Sequence, residues 1–128
     1  MEEEIIYKDL SYKLNGIFFY VHNNLGSVHH EKQYADAIEL KLKADNYKYE
    51  REKELFFKMK EGSIGGNRVD FVVEGILPVD AKSKKYITKE DYRQMLRYLK
   101  SGNYRLGLIV NFRGPKVTIK RIVNSDLK

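Results

Sequence analysis

Three residues near the middle of the chain, Asp70, Asp80 and Lys82, have the types and spacing of a carboxylate pair with a lysine beside it, a set that could hold a metal ion. Asp70 lies in the apolar run Val69 to Val73 and Asp80 in Ile76 to Ala81, with Glu74 and Gly75 between them, the pattern of a tight hairpin. With the turn centred on Gly75, residues whose numbers sum to 150 face each other, which pairs Asp70 with Asp80. Opposed residues on antiparallel strands have Cβ atoms about 4.5–5.5 Å apart. Two carboxylates that close repel and raise each other's proton affinity unless a cation lies between them. Alternation along the strand puts Lys82 on the face of Asp80 and sends Ala81 into the opposite layer. A divalent metal between the aspartates, with Lys82 beside it, answers that charge problem. Hard oxygen donors completed by water favour Mg²⁺ or Mn²⁺ over zinc.

The elements that must hold these residues are legible from periodicity. Leu10, Leu14, Ile17, Phe18, Val21 and Leu25 trace one helical face, stopped by Gly26. Ser27 is placed to cap a second helix with the stripe Tyr34, Ala35, Ile38 and Leu42, broken by Asp45 and Asn46. Glu31, three and four residues before Tyr34 and Ala35, extends that stripe and is expected to point to the interior or a cleft. As a first-turn acid it also suits the helix dipole. Tyr47 to Met59 reads as a half-exposed strand, and Glu61 to Asn67, with Gly62, Gly65 and Gly66, as a turn. Beyond the hairpin, Thr88 caps a third helix reaching about Lys100, ended by Ser101 and Gly102. Tyr104 to Phe112 and Lys116 to Val123 form a last pair of strands. The order α-α-β-β-β-α-β-β predicts an α/β (α+β) domain, a mixed sheet flanked by helices.

Composition narrows the function classes. A chain of 128 residues holds one small domain, here residues 1–128 without repeat or linker. Lys plus Arg number 24 against 18 Asp plus Glu, and a net charge of +6 suits a polyanionic partner. Zero Cys excludes disulfide scaffolds, thiolate zinc sites and cysteine nucleophiles. No apolar run reaches the roughly 18–20 residues of a membrane helix, and the acidic start, Met1 to Glu4, lacks a basic leader, so a cytoplasmic protein without a membrane partner is expected. His29 and His30 project about 100° apart on a helix and so read as helix-start residues, not a shared metal site.

Asp70, nine residues, Asp80, one residue and Lys82 resembles the signature of the PD-(D/E)xK nuclease superfamily. Gln94 and Tyr98 supply the Q-x-x-x-Y spacing of its RecB-like branch. More narrowly, the chain looks like a member of the GxxExxY family of small PD-(D/E)xK proteins. Leu25-Gly26, Glu31-Lys32-Gln33-Tyr34, Arg68 to Glu74, Asp80-Ala81-Lys82, Gln94 to Tyr98, Asn111-Phe112 and Lys120-Arg121 fall in order. It departs from the pattern at Val28, where a glycine is usual, at Asp80, where Glu is usual, and at Val69, where the superfamily proline would stand. The resemblance implies a restriction-endonuclease-like, metal-dependent nuclease fold; the substrate expected here is DNA, with RNA as the other class. It implies Asp70, Asp80 and Glu31 as metal ligands and Lys82 and Gln94 as further members of the site.

Further basic residues follow. Lys84 and Lys85 stand where a phosphate beside the metal would lie, and Lys89, Arg93, Arg97 and Lys100 recur at helical spacing as a basic stripe. The stripe reads equally as a solvated face. Gln94 and Tyr98 lie opposite the apolar arc of Tyr92, Met95, Leu96 and Leu99, which makes them exposed, whether toward substrate or toward water. Two rival functions share the fold: a dimeric, structure-selective resolvase of Holliday-junction type, in which a homodimer presents paired sites, and a non-catalytic nucleic-acid-binding module.

Overall fold

In the computed structural model, which describes residues 5–127, the elements are α1 (Lys8–Leu25), α2 (Glu31–Ala44), β1 (Tyr49–Met59), β2 (Gly62–Val73), β3 (Leu77–Lys82), α3 (Lys89–Gly102), β4 (Leu106–Asn111) and β5 (Thr118–Val123). The order and the α+β class are those the sequence predicts; the acidic residues Met1 to Glu4 lie outside the described residues. The five strands form one sheet in the order β1-β2-β3-β4-β5, antiparallel except for the parallel pair β3–β4. A parallel neighbour needs a crossover connection, and α3 is that crossover.

Each face of the sheet has its own core. On one, α1 and α2 bury Leu14, Phe18, Tyr34 and Ile38 against Phe71, Val79, Ala81 and Leu108. On the other, α3 buries Met95, Tyr98 and Leu99 against Leu55, Val72, Ile109 and Ile122. Alternation breaks once in β2: Phe71 and Val73 face α1 and α2, yet Val69 packs under α3. The rung between is Asp70, and Glu52, the β1 residue between Arg51↔Phe71 and Lys53↔Val69, has φ 50°. A left-handed residue in a strand bends the pleat, and the sheet switches layers at the level of Asp70.

Local expectations fail in instructive places. The turn expected over 61–67 is only Lys60-Glu61, because Gly62–Val73 continues as strand. Gly65 belongs there because the Phe56 ring lies where its Cβ would stand, 2.9 Å away. Ser27 does not cap α2; His30 is the N-cap, its N–H donating to Gln33 Oε1 while its carbonyl accepts from Gln33 N–H. Thr88 caps α3 as expected, paired with Asp91, but the left-handed stop is Asn103, one residue past Gly102.

Candidate active site

The β2–β3 register is Phe71↔Val79, Val72↔Pro78 and Val73↔Leu77, every pair summing to 150 as the hairpin arithmetic requires. The backbone ladder stops at Phe71↔Val79, and the next rung is made by side chains. Asp70 N–H donates to Asp80 Oδ1 at 3.2 Å, and Ala81 N–H donates to Asp70 Oδ2 at 2.8 Å. The two aspartates thus satisfy the backbone donors that the parting strands leave open. They converge on the α3 face, where Lys82 Nζ meets Asp80 Oδ2 at 3.0 Å and donates to Gln94 Oε1 at 2.8 Å. Ala81 faces the opposite core, as alternation demands.

The electrostatics follow from crowding. Burial, then the neighbouring Asp80 carboxylate, push the Asp70 carboxyl up to about 7, against the pull of the Ala81 N–H and Lys82. For Lys82, burial works against the charged form, but Asp80, with Glu31 and Asp91, outweighs it and the net shift is upward. Lys82 is therefore a held cation with two of its three donors engaged and one left over.

Gln94 and Tyr98 depart from the expectation that both are exposed. Gln94 is half-buried on Lys82, and Tyr98 is 5% exposed within the α3 core. The buried arc of α3 is Asp91, Met95, Tyr98 and Leu99, rotated toward Tyr98 from the apolar arc of the sequence. Tyr98 cannot stack on a base from that position. Burial, then Asp80 and Asp70, raise its phenol pKa, so it stays protonated. Glu31 is exposed and not in the core; it opens α2, and its Oε2 accepts from Ser83 N–H at 3.3 Å, one residue past Lys82.

The expected phosphate contacts divide. Lys84 is engaged by Asp91 at 2.9 Å, and Asp91 is held below the usual carboxylate range: burial opposes the ionised form, but Thr88 and Lys84 together outweigh it. Lys85 is exposed, lying over the Tyr86 ring. Lys89, Arg93, Arg97 and Lys100 are exposed along α3, with Glu90 close to Arg93 and Arg97 and Asp126 close to Lys100. Two residues without a role in the sequence reading shape the site. Asn111, buried at the end of β4, accepts from Lys84 N–H and donates to Lys84 O, fixing the segment after Lys82. Asp91 was legible as the acid of a capping box after Thr88, but not as the partner of Lys84.

Among the described residues no three of His, Asp or Glu form a compact metal-binding group. The donor set is the aspartate pair, with Glu31 one step away through Ser83. A divalent ion fits that pair: burial, then the charge of Asp80, raise the Asp70 carboxyl to about 7, so a proton is retained there near neutral pH, and a cation would replace it.

The sequence profile of the PD-(D/E)XK nuclease superfamily matches residues 8–122. This chain belongs to that superfamily. Its nucleases generally use divalent metals on nucleic acids, which agrees with the aspartate pair. Among solved structures, the crystal structure of SSO0001 superposes with a TM-score of 0.57 at 18% sequence identity, over 91% of this chain and 57% of that one. The chain thus spans little more than half of that protein, and the likeness is one of fold. No curated protein matches. No helix among the described residues is long and apolar enough to cross a membrane.

Proposed function

We propose that the protein is a metal-dependent nuclease that hydrolyses phosphodiester bonds of DNA. The observation that carries this reading is the convergence of Asp70, Asp80 and Lys82 at the point where β2 and β3 part. Hydrolysis breaks one P–O ester bond by in-line attack of water. A divalent ion, when bound, lowers the pKa of that water and offsets phosphate charge. Asp70 and Asp80 would hold it, with Glu31 contributing directly or through water. Lys82, kept cationic by Asp80, offers its remaining N–H to a phosphoryl oxygen or to the attacking water. Gln94 positions Lys82. The ordered motifs around Glu31, Asp70 and Gln94 support the narrower GxxExxY assignment.

The test is cleavage of labelled linear, single-stranded, flapped and four-way DNA, with an RNA control, in Mg²⁺ and Mn²⁺. Wild type should cut in a metal-dependent manner, and Asp80→Ala should lose on the order of 10³-fold. Failure of folded wild type to cut any substrate in either metal would overturn the reading.

A further inference from the structure

Beside the aspartates lies a second feature that the nuclease reading leaves unused. Ser27, Val28, His29, Ser83 and Arg113 line an open cleft of about 350 Å³. Three connectors meet there: the one between α1 and α2, the one after β3 and the one after β4. Two of these leave the carboxyl ends of the parallel strands β3 and β4, the edge at which sheets of this kind receive ligands. Ser83 follows Lys82 directly, and Phe112 N–H donates to Lys82 O at 3.0 Å, so Arg113 stands one residue from a group bonded to the lysine of the site.

The cleft is framed by fixed groups. The Tyr34 ring stacks on Phe112 with centroids 4.5 Å apart, and its hydroxyl donates to Gly26 O and accepts from His29 N–H. Ser83 Oγ donates to His29 O at 3.0 Å, tying the first connector to the second. His22 Nε2 lies 3.0 Å from Gly114 O, holding the third. Within that frame the Arg113 guanidinium has no ion-pair partner among the described residues, unlike Lys84, Arg93, Arg97 and Lys100. Glu31, whose carboxylate accepts from Ser83 N–H, is the acid next to the cleft and is close enough to act on the charge of Lys82.

We infer that this cleft is a phosphate-binding subsite in which Arg113, with the Ser27 hydroxyl and the His29 ring, holds a phosphate group of the nucleic acid next to the one being cleaved, while Ser83 lines the cleft and ties it to the Lys82 segment. The inference rests on the nucleic-acid reading above. A guanidinium offers paired N–H donors that match phosphate oxygens, and a hydroxyl or imidazole beside it completes the contact. A second phosphate anchored one step from Lys82 would fix the register of the strand over Asp70 and Asp80. The phosphate is either an internal phosphodiester or a terminal phosphomonoester.

The test uses the full chain in EDTA, where cleavage does not intervene. Inorganic phosphate, followed by amide chemical shifts, should perturb Ser27, Ser83 and Arg113 in wild type and not in Arg113→Gln. For a single-stranded oligonucleotide, Arg113→Gln should weaken binding about tenfold and lower the salt slope of binding by about 0.7, the loss of one phosphate contact. Arg113→Lys, which keeps the charge without the fork, should recover part of the affinity and the slope. A larger loss with a 5′-phosphorylated oligonucleotide than with its 5′-hydroxyl form identifies a terminal phosphate, and equal losses an internal one. Unperturbed amides in wild type, or an unchanged slope in Arg113→Gln, would overturn the subsite whether or not the protein cuts DNA. Phosphate binding lost in Arg113→Gln, in a protein that cuts nothing, would uphold the subsite and remove the nuclease reading instead.

Discussion

β3 shows the same six residues answering two demands. On the face toward α1 and α2, Val79 and Ala81 are about 1% exposed and belong to the apolar core shared with α1 and α2. On the face toward α3, Asp80 and Lys82 are also largely buried, with side chains 6% and 14% exposed, but their neighbours are Asp70 and Gln94. One face gains free energy by excluding water. The other holds charges in a setting that raises the proton affinity of Asp70. The contrast separates a face that stores stability from one that holds charge, and on the proposed function substitutions on the two faces should move stability and activity in different directions.

The largest effect belongs to the apolar face. Leu108, fully buried on β4 opposite Val79, packs in the core shared with α1 and α2. Leu108→Ala should cost about 2–5 kcal/mol of unfolding free energy, the transfer term plus the cavity. Denaturant unfolding measures the loss, and cleavage per folded molecule should stay within a few-fold of wild type. A variant that kept full stability would mean that this face is not the structural one.

On the other face the sign reverses. The Asp70 carboxyl titrates near 7 in the folded protein against an ordinary value of 3.8. Folding therefore favours its protonated form, and the associated stability is complete below about pH 4 and lost as pH rises through about 7. In Asp70→Asn the amide oxygen can still accept from Ala81 N–H, while the buried negative charge is gone. In EDTA at pH 8 this variant should be more stable than wild type by up to about 4 kcal/mol, and the gap should close as pH falls toward 4. Mg²⁺ should narrow the gap at pH 8 by stabilising wild type alone, and cleavage should be abolished. Thermal melts at two pH values with and without metal read all of this, and a variant less stable than wild type at pH 8 in EDTA would show that the aspartates do not repel.

How far the sequence discloses this division depends on how local the cause is. Hairpin arithmetic about Gly75 placed Asp70 against Asp80, and alternation separated Ala81 from Lys82, because both are properties of adjacent strands. The α3 reading failed on its face. A stripe drawn through apolar residues counts Asp91 and Tyr98 as exterior, yet Asp91 is buried with Lys84 on it, and Tyr98 packs into the α3 core among Leu55, Val72 and Met95. Glycines at 62, 65 and 66 suggested a turn because the ring of Phe56, which needs the space above Gly65, lies on another strand. Arg113 and Ser83 carried no local signal at all, since only the tertiary meeting of three connectors joins them.

Gln94 gives the smallest of these effects and the sharpest test of where the apolar face ends. It sits half-buried at the edge of the α3 core, so a packing role and a site role both predict that it matters. Its Oε1 accepts from Lys82 Nζ at 2.8 Å, leaving Asp80 as the other fixed partner of the ammonium. Gln94→Met conserves volume and removes the acceptor. If Gln94 positions Lys82, Gln94→Met should lose about tenfold in kcat, equivalent to about 1.4 kcal/mol, with KM and melting temperature little changed. Gln94→Glu, which restores an acceptor but adds charge facing the incoming phosphate, should regain kcat in part and raise KM. Wild-type kinetics in Gln94→Met would instead assign the residue to packing and draw the boundary of the site at Lys82.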